Sequence, residues 1–167
     1  ASAATQTPVG NLAYGITPTF GNFSGTLSTS NFQQAGNIPQ LTSGSLNSDN
    51  WVSTATTTHG PAYMQIDLSS IKAVNDIKTW QYFKSAPPHA RDFYQAVQIS
   101  TDATSWTTVY NNDSTNAGGI KSLGTNLSGG YNTITYETAN GNDIQIPMTN
   151  VRFVRFWSAG FIWDDTR

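Results

Sequence analysis

The sequence has no cysteine and very little charge, and each shortage excludes classes of protein. Without cysteine there is no disulfide scaffold, no thiol catalysis and no thiolate metal site. Charged residues make up 11% of the 167 residues, against about a quarter of a typical soluble domain. With 8 basic and 10 acidic residues and no basic cluster, the chain lacks the electrostatic footprint of a nucleic-acid-binding protein.

Glutamate and long apolar runs are scarce as well. Glu137 is the single glutamate, and a mostly helical fold is therefore excluded, because helix surfaces are usually built from Glu, Lys, Arg, Gln and Ala. No apolar run approaches the ~20 residues that span a bilayer. Residues 1–10 lack the basic and apolar parts of a signal peptide, and we predict a linker or flexible N-terminus there. Ser, Thr and Asn supply about one residue in three, a composition that favours an extracellular protein.

Short segments rich in β-branched and aromatic residues alternate with Gly, Asn, Ser and Pro, which predicts strands and turns. Segment 62–68 alternates apolar and polar side chains, as a half-buried strand does. Segments 93–100 and 106–110 flank a turn and are predicted to form a hairpin. Further strands are predicted at 77–83, 131–138, 143–148 and 151–157, the third of these limited by Pro147 to an edge or strand end. The length fits one domain, and we predict seven to nine strands in two antiparallel sheets.

Five motifs follow one another along the chain: N-L-A at 11–13, L-T-S-G to N-W-V-S at 41–53, Y-M-Q-I-D-L at 63–68, V-Q-I-S-T-D-A-T-S-W at 97–106 and V-R-F-V-R at 151–155. In this order they resemble the discoidin or coagulation-factor type-C domain, and most closely its bacterial relatives, the family 32 carbohydrate-binding modules. The resemblance implies an all-β, galactose-binding-domain-like jelly-roll β-sandwich over residues 11–167. It also implies sugar binding through loops at one end, and no catalysis.

The sequence departs from the family pattern at three places. Ser43 stands where the family has Asp, and Ala103 stands where the hairpin has Gly. The segment 160–167 occupies the place of the closing W-x-E-I strand but has no glutamate. The closing strand is therefore predicted to be divergent or truncated.

A sugar site needs an aromatic face for the C–H side of a pyranose and directional polar groups for its hydroxyls. Segment 80–94 concentrates these residue types, and Pro87-Pro88 stiffens it. The resemblance implies an arginine from this segment and a ring from the last loop. The predicted carbohydrate-binding residues are Arg91, His89, Lys84, Tyr82, His59, Phe161 and Trp163. The predicted partner is a glycan, with a neutral, galactose-like sugar as the first candidate.

Other aromatic and basic residues are predicted to be structural. Trp80, Phe83 and Phe93 are expected in the core, because sandwich strands are filled by such rings. Arg152 and Arg155 are expected to pair with carboxylates of the sheet.

A structural calcium ion is also implied by the resemblance, in the loop after the first strands. Its predicted ligands are Leu41, Ser43, Asn47 and Asp49. Calcium takes six to eight oxygen ligands, yet only Asp49 is anionic here. A turn stabilised by Asx and Ser hydrogen bonds is the alternative interpretation, and both stay open.

Residues suited to catalysis are few. His59 and His89 have no metal-binding spacing. A glycosidase needs two carboxylates of contrasting pKa, and the pool here is Glu137 with scattered aspartates, of which Asp164-Asp165 resemble a solvated tail. We therefore predict no enzyme. The alternative function is a structural or adhesive domain of a larger extracellular assembly, such as a virion appendage, surface filament or adhesin, with neighbouring chains covering an open sheet edge.

Overall fold

The computed structural model describes residues 10–23, 25–27, 32–35, 41–42, 52–54, 62–80, 93–111 and 141–161. Its regular elements are strands, and no helix within these ranges is long and apolar enough to cross a membrane. The strands are β1 (Thr19–Asn22), β2 (Gly25–Leu27), β3 (Phe32–Ala35), β4 (Val52–Thr54), β5 (Ala62–Thr79), β6 (Phe93–Ser100), β7 (Thr107–Asn111) and β8 (Asn142–Phe161). The all-β prediction is confirmed.

The strands form a six-stranded antiparallel sheet in the order β2-β1-β5-β8-β6-β7 and a separate β3-β4 pair. β5 and β8 are long, with 18 and 20 residues, and each joins segments that the sequence predicts as two strands. β6 has the predicted bounds and pairs with β7 in the predicted hairpin. The strand predicted at 131–138 lies outside the described residues.

A corner divides the β5–β8 ladder. Asp67 pairs with Phe153 and Lys72 pairs with Val151, so β5 contains three more residues than β8 over this stretch. Ser69 lies within it and has a φ of 68°. The side chain of Asp67 accepts a hydrogen bond from the Ser69 amide at 2.8 Å, which holds this turn closed. The corner lets one strand pair serve both layers of the sandwich.

One long-range hydrogen bond shows that this ladder folds into two layers. Gln95 of β6 pairs with Ser158 of β8, yet its side-chain oxygen accepts a bond from Asn142, at the start of β8, at 3.1 Å. The 16 residues from Asn142 to Ser158 would span about 50 Å if the strand were straight. The first half of β8 and the second half of β5 must therefore fold back over the rest of the sheet. These two halves form the second layer, and the first layer consists of the other halves of β5 and β8 with β1, β2, β6 and β7.

The aliphatic core lies between these two layers. Its buried members are Leu68, Val74, Ile99 and Val151. Ile77 and Ile146 from one half of the ladder and Ile66 and Val154 from the other pack against them. Because the cluster draws on both halves, burial of these side chains stabilises the bend, at roughly 1.5–3 kcal/mol for each fully buried aliphatic side chain.

Pro147 lies inside β8, in the half of the strand that pairs only with β5 among the described residues, so its predicted edge position agrees with the described sheet. Val74 pairs with Thr149 and Asp76 pairs with Gln145, which leaves two extra residues on β8 at this point. A proline has no amide hydrogen to donate, and an irregularity of this kind removes the need for one.

The turn between β6 and β7 is a dense hydrogen-bonded unit. Asp102 accepts bonds from the amides of Thr104 and Ser105, both at 2.8 Å, and from the Ser100 hydroxyl at 3.0 Å. These bonds lower the pKa of Asp102. Ala103 has a φ of 61°, the left-handed conformation that favours the glycine found here in the resembling family.

The segment 11–13 forms a turn and not the opening strand that the resemblance implies. The Asn11 side chain accepts a bond from the Ala13 amide at 3.0 Å. The Tyr14 amide donates to the Asn11 carbonyl at 3.1 Å. Asparagine favours such turns, because its side chain substitutes for a backbone acceptor.

Candidate functional site

Many strand ends of both layers meet at one end of the sandwich, which we call the loop end. Asn22 pairs with Ala62, and Ala62 pairs with Ser158. Thr79 pairs with Asn142 in the other layer, and the bond from Asn142 to Gln95 brings these two groups together. Among the described residues, the loop end consists of residues 22–23, 25, 62–63, 79–80, 93–95, 110–111, 141–142 and 158–161.

The predicted sugar-binding residues belong to segments that begin or end there. Segment 81–92 joins Trp80 to Phe93 and contains Tyr82, Lys84, His89 and Arg91. His59 belongs to the segment that enters β5 at residue 62, and Trp163 follows the end of β8. These six residues lie outside the described part of the chain, and their role stays a prediction. Phe161, the seventh, ends β8 opposite Phe93 at the loop end.

The calcium prediction can be located only at Leu41, which is half-buried; Ser43, Asn47 and Asp49 lie outside the described residues. The neighbouring Thr42 hydroxyl donates to the Ile16 carbonyl at 2.7 Å and fastens this segment ahead of β1. Among the residues that the structure describes, no group of three or more His, Cys, Asp or Glu side chains could hold a metal ion. The ion therefore stays a prediction.

Trp80 is the large aromatic residue that the second layer presents at the loop end. It follows β5 directly and 45% of its surface is exposed, so its prediction as a core residue is wrong. The neighbouring Gly141 explains this position, because a Cβ there would lie 2.6 Å from Cδ1 and 2.8 Å from Nε1 of the indole. The indole lies against bare backbone and keeps part of its ring exposed.

The first layer presents a second aromatic group at the loop end. The Phe23 ring, half exposed in the turn after β1, stacks on the Trp157 ring at a centroid distance of 4.7 Å. Tyr63 meets Trp157 edge-on at 4.8 Å. The Trp157 indole is almost fully buried and donates to the Gln98 side chain at 2.8 Å. Trp157 therefore anchors Phe23 in a fixed orientation.

One face of the first layer carries polar and aromatic side chains, and we call it the outer face. The opposite face contributes Ile66, Val154 and Ile99 to the core. The alternating positions put Gln65, Arg155 and Gln98 next to one another in one row across β5, β8 and β6. The outer face is therefore the side turned away from the second layer.

Arg155 is the central side chain of the outer face. Its Nε donates to the Gln65 oxygen at 2.8 Å and its Nη2 donates to the Tyr63 hydroxyl at 3.3 Å. The rings of Tyr63 and Trp106 each lie 4.0 Å from the guanidinium carbon. Two cation–π contacts and two hydrogen bonds hold the group in one orientation.

The two strand arginines differ in charge compensation. Arg152 pairs with Asp67 through bonds of 2.9 and 3.1 Å, as predicted, and this pairing lowers the pKa of Asp67 and raises that of Arg152. Arg155 meets no carboxylate among the described residues, so the prediction of a carboxylate partner is wrong for it. Burial of its uncompensated charge lowers the pKa of Arg155.

A charged cluster lies near the loop end on the second layer. Lys78 approaches Asp143 at 3.4 Å and Asp76 at 4.0 Å. Burial and the neighbouring Asp143 raise the pKa of Asp76, whereas a bond from Gln145 lowers the pKa of Asp143. The lysine and one carboxylate largely neutralise each other, and solvent screens an exposed pair of this kind, so it contributes little to stability.

Sequence reasoning missed Phe23, Trp80 and the Arg155 environment as surface features. The signal for Trp80 lies in long-range strand pairing, because Gly141 is distant from it in sequence. For Arg155, the alternation of side chains along a strand indicated which residues share its face of the sheet. Tyr63 and Gln65 are both odd-numbered positions of β5, and Arg155 and Trp157 are both odd-numbered positions of β8, so antiparallel pairing puts all four on one face.

Comparisons with known proteins agree with this architecture. No family model matches the sequence, and no curated protein matches it. Among solved structures, the chain is similar to CpGH89CBM32-4 of Clostridium perfringens, with 15% identity, 96% of this chain and 85% of the other covered, and a TM-score of 0.58. Two chitosan-binding modules from a chitosanase/glucanase of Paenibacillus sp. IK-5 are also similar. Module 1, in a selenomethionine-labelled mutant form, has 20% identity, coverage of 90% and 86% and a TM-score of 0.54, and module 2 has 21%, 92% and 90%, and 0.54.

These neighbours share the β-sandwich of the discoidin-like family 32 modules, and the chain has this fold. The fold implied by the five sequence motifs is therefore confirmed. The similarity extends over 90% or more of the chain for all three structures.

Proposed function

We propose that the protein is a non-catalytic carbohydrate-binding module that binds sugars at the loop end. The observation that carries this proposal is the exposed Trp80 ring, fixed beside Gly141 where the segments holding the predicted polar residues begin and end. An indole face suits the C–H side of a pyranose, and nearby polar groups would bond its hydroxyls.

The frame beneath Trp80 supports the proposal because a buried hydrogen bond ties its two layers together. Gln95 is completely buried, and its bond from Asn142 ties the two layers directly below the loop end. A ring carried by such a frame loses little conformational freedom when a ligand binds, and less of the interaction energy is spent on ordering.

The similar solved structures support a glycan as the ligand. The Clostridium perfringens module is described in complex with GlcNAc-alpha-1,4-galactose. Chitosan-binding module 2 is described in complex with chitotriose. We propose a neutral, galactose-like sugar as the first candidate for this chain and chitotriose as the second probe.

The same comparison supports an accessory role. The two chitosan-binding modules are described as derived from a chitosanase/glucanase. We propose that this chain likewise serves as a non-catalytic module of a secreted or surface protein. A structural calcium ion at Leu41, Ser43, Asn47 and Asp49 remains part of the proposal.

Calorimetric titration with GlcNAc-alpha-1,4-galactose and with chitotriose tests the proposal, in calcium and again in a chelator. Trp80→Ala should weaken binding roughly tenfold or more, which corresponds to ~1.4 kcal/mol, while Trp80→Phe should retain most of it. Tyr14→Ala is the matched control, because Tyr14 is 70% exposed in the turn at residues 11–15. Binding that is unchanged by the chelator would contradict the calcium part alone.

Two results would refute the sugar site. The first is that no glycan of a broad array binds, with or without calcium. The second is that Tyr14→Ala and Trp80→Ala weaken binding equally.

A structural domain of a larger assembly is the second candidate, and β7 supports it. This strand is the outermost one on its side of the described sheet, and its Thr107 and Thr108 side chains are exposed. An outer strand can pair with a strand of another chain. Sedimentation at high concentration should then reveal self-association, and Thr108→Pro should abolish it. A chain that stays monomeric would exclude self-assembly through β7.

A further inference from the structure

We infer that the outer face of the first layer is a second glycan-binding surface, at which Arg155 takes the carboxylate of an acidic saccharide. This inference rests on the proposed carbohydrate-binding function. It adds a ligand class, the uronic-acid oligosaccharide, and a surface distinct from the loop end.

One edge of the Arg155 guanidinium is occupied and the other is open among the described residues. Gln65 and Tyr63 occupy the edge formed by Nε and Nη2 of Arg155. The opposite edge, formed by Nη1 and Nη2, has no bonding partner among the described residues. Two parallel N–H groups on one edge match the two oxygens of a carboxylate, which is the geometry that makes arginine selective for such ligands.

The two arginines of β8 differ in whether an acidic side chain neutralises them. Arg152, on the same strand, is neutralised by Asp67 at 2.9 Å. Arg155 is partly buried, and within the described part of the chain its partners are neutral: an amide, a phenol and two rings. A buried charge without an opposite charge is costly, and an anionic ligand would compensate it. The chain as a whole has a net charge of -2, whereas the surroundings of Arg155 carry a positive charge that no described carboxylate neutralises.

Two aromatic rings hold the Arg155 side chain in place before any ligand binds. Tyr63 and Trp106 lie 4.0 Å from the guanidinium carbon, and the Trp106 indole is itself tied to the Ala103 carbonyl at 3.1 Å. The arginine therefore loses little freedom when it binds. Both rings remain partly exposed and offer apolar surface to the sugar ring that carries the carboxylate.

A row of hydrogen-bonded polar side chains lies beside Arg155. Gln98 receives a bond from Trp157 and donates to Thr108 at 3.2 Å. The Thr108 side chain is exposed at the end of this row. Fixed amide and hydroxyl groups next to a carboxylate site would bond the sugar hydroxyls and favour a saccharide over a simple carboxylate.

Trigalacturonate and its carboxyl-reduced, neutral counterpart are the probes for this surface. In an NMR titration of the whole chain, trigalacturonate should shift the indole signal of Trp106 and the Nε–H signal of Arg155, and the reduced trisaccharide should shift neither. Because this measurement uses the unaltered protein, it does not depend on the folding of any variant.

Variants then separate this surface from the loop end. Arg155→Lys keeps the charge and removes the two-pronged edge, so trigalacturonate should bind about ten- to a hundredfold more weakly. Arg152→Lys is the matched control on the same strand and should change affinity less than twofold. Trp80→Ala should weaken the neutral sugars of the loop end and leave trigalacturonate unaffected.

Three results would overturn the inference. Equal binding of the acidic and reduced trisaccharides would remove the role of the carboxylate. Loss of trigalacturonate binding in Trp80→Ala would assign the acid to the loop end. Shifts of the Trp106 signal with protein concentration alone would assign the face to a second copy of the chain. In each case, neutral sugar binding that depends on Trp80 would leave the proposed function intact.

Discussion

Replacement of Gly141 by alanine would test how the sandwich frame holds the Trp80 ring. Gly141 has a φ of 67° and lies between the end of β5 and the indole. An added Cβ would collide with the Thr79 carbonyl oxygen and lie 2.6 Å from Trp80 Cδ1. The backbone oxygen cannot move without disturbing the β5–β8 ladder, so the indole or the strand end must shift.

The size of the effect follows from two terms. A left-handed conformation costs an alanine about 1–2 kcal/mol, of which about 0.4–1 kcal/mol is offset by the reduced freedom of the unfolded chain. The collision adds about 1–3 kcal/mol, as overpacking does elsewhere. The total of roughly 1–5 kcal/mol should lower Tm by about 2–20 °C in a domain of this size.

Gly15→Ala is the matched control, because Gly15 has a φ of 75° and nothing lies within 4 Å of the position of its Cβ. It carries the backbone term alone and should lower Tm by about 2–4 °C. Calorimetry measures both losses, and titration with the loop-end sugars measures affinity. Gly141→Ala should also weaken sugar binding, and Gly15→Ala should not. Equal losses of stability and equal affinities in the two variants would refute the reasoning.

Three further predictions concern the frame. Ala103→Gly should raise stability by about 0.5–1 kcal/mol and Tm by about 2–4 °C, because glycine relieves the left-handed φ at a lower cost than alanine; a lower Tm would contradict this. The pKa of Asp67 lies below its unfolded value of 3.8, so its bonds with Arg152 stabilise the fold above pH 3.8 and stop doing so as the pH falls through the folded pKa. Urea unfolding should therefore separate Arg152→Gln from the parent chain at pH 7 and bring them together near pH 2; a constant difference would exclude the ion pair as its cause. Gln95→Leu should cost about 1–3 kcal/mol in urea unfolding, because Asn142 loses a buried acceptor; an unchanged midpoint would show that this bond does not tie the layers.

Local sequence patterns and the order of the motifs were enough to predict the fold class, individual strands and the β6–β7 hairpin. Alternation along 62–68 and the Ser-x-Asp turn after 93–100 are local, and the structure contains both the strand and the hairpin. The continuity of β5 and β8 through a bend could not be predicted. It depends on a three-residue irregularity at Ser69 and on a hydrogen bond between Gln95 and Asn142, whose partners are 47 residues apart.

The candidate site could be predicted in composition but not in arrangement. Aromatic and basic residues of segment 80–94 indicated a sugar site, and the structure shows that both described ends of that segment lie at the loop end. Assigning Trp80 to the core failed because a ring at a strand end is exposed or buried according to what faces it. Here the facing residue is Gly141, which is remote in sequence and has no side chain to cover the indole.

The scarcity of carboxylates in this chain has a structural consequence at the two arginines of β8. A sheet richer in acidic residues could give each arginine a partner, as Asp67 does for Arg152. Gln65 occupies the cross-strand position opposite Arg155, and an amide supplies a hydrogen bond without neutralising the charge. Two rings complete the environment of Arg155. Gln65→Glu should therefore pair with Arg155, raise the stability of the free protein and weaken trigalacturonate binding, since an internal carboxylate would compensate the charge that the proposed ligand would otherwise meet. If Gln65→Glu bound trigalacturonate as tightly as the parent chain does, charge compensation would not be the reason that this face recognises an acid.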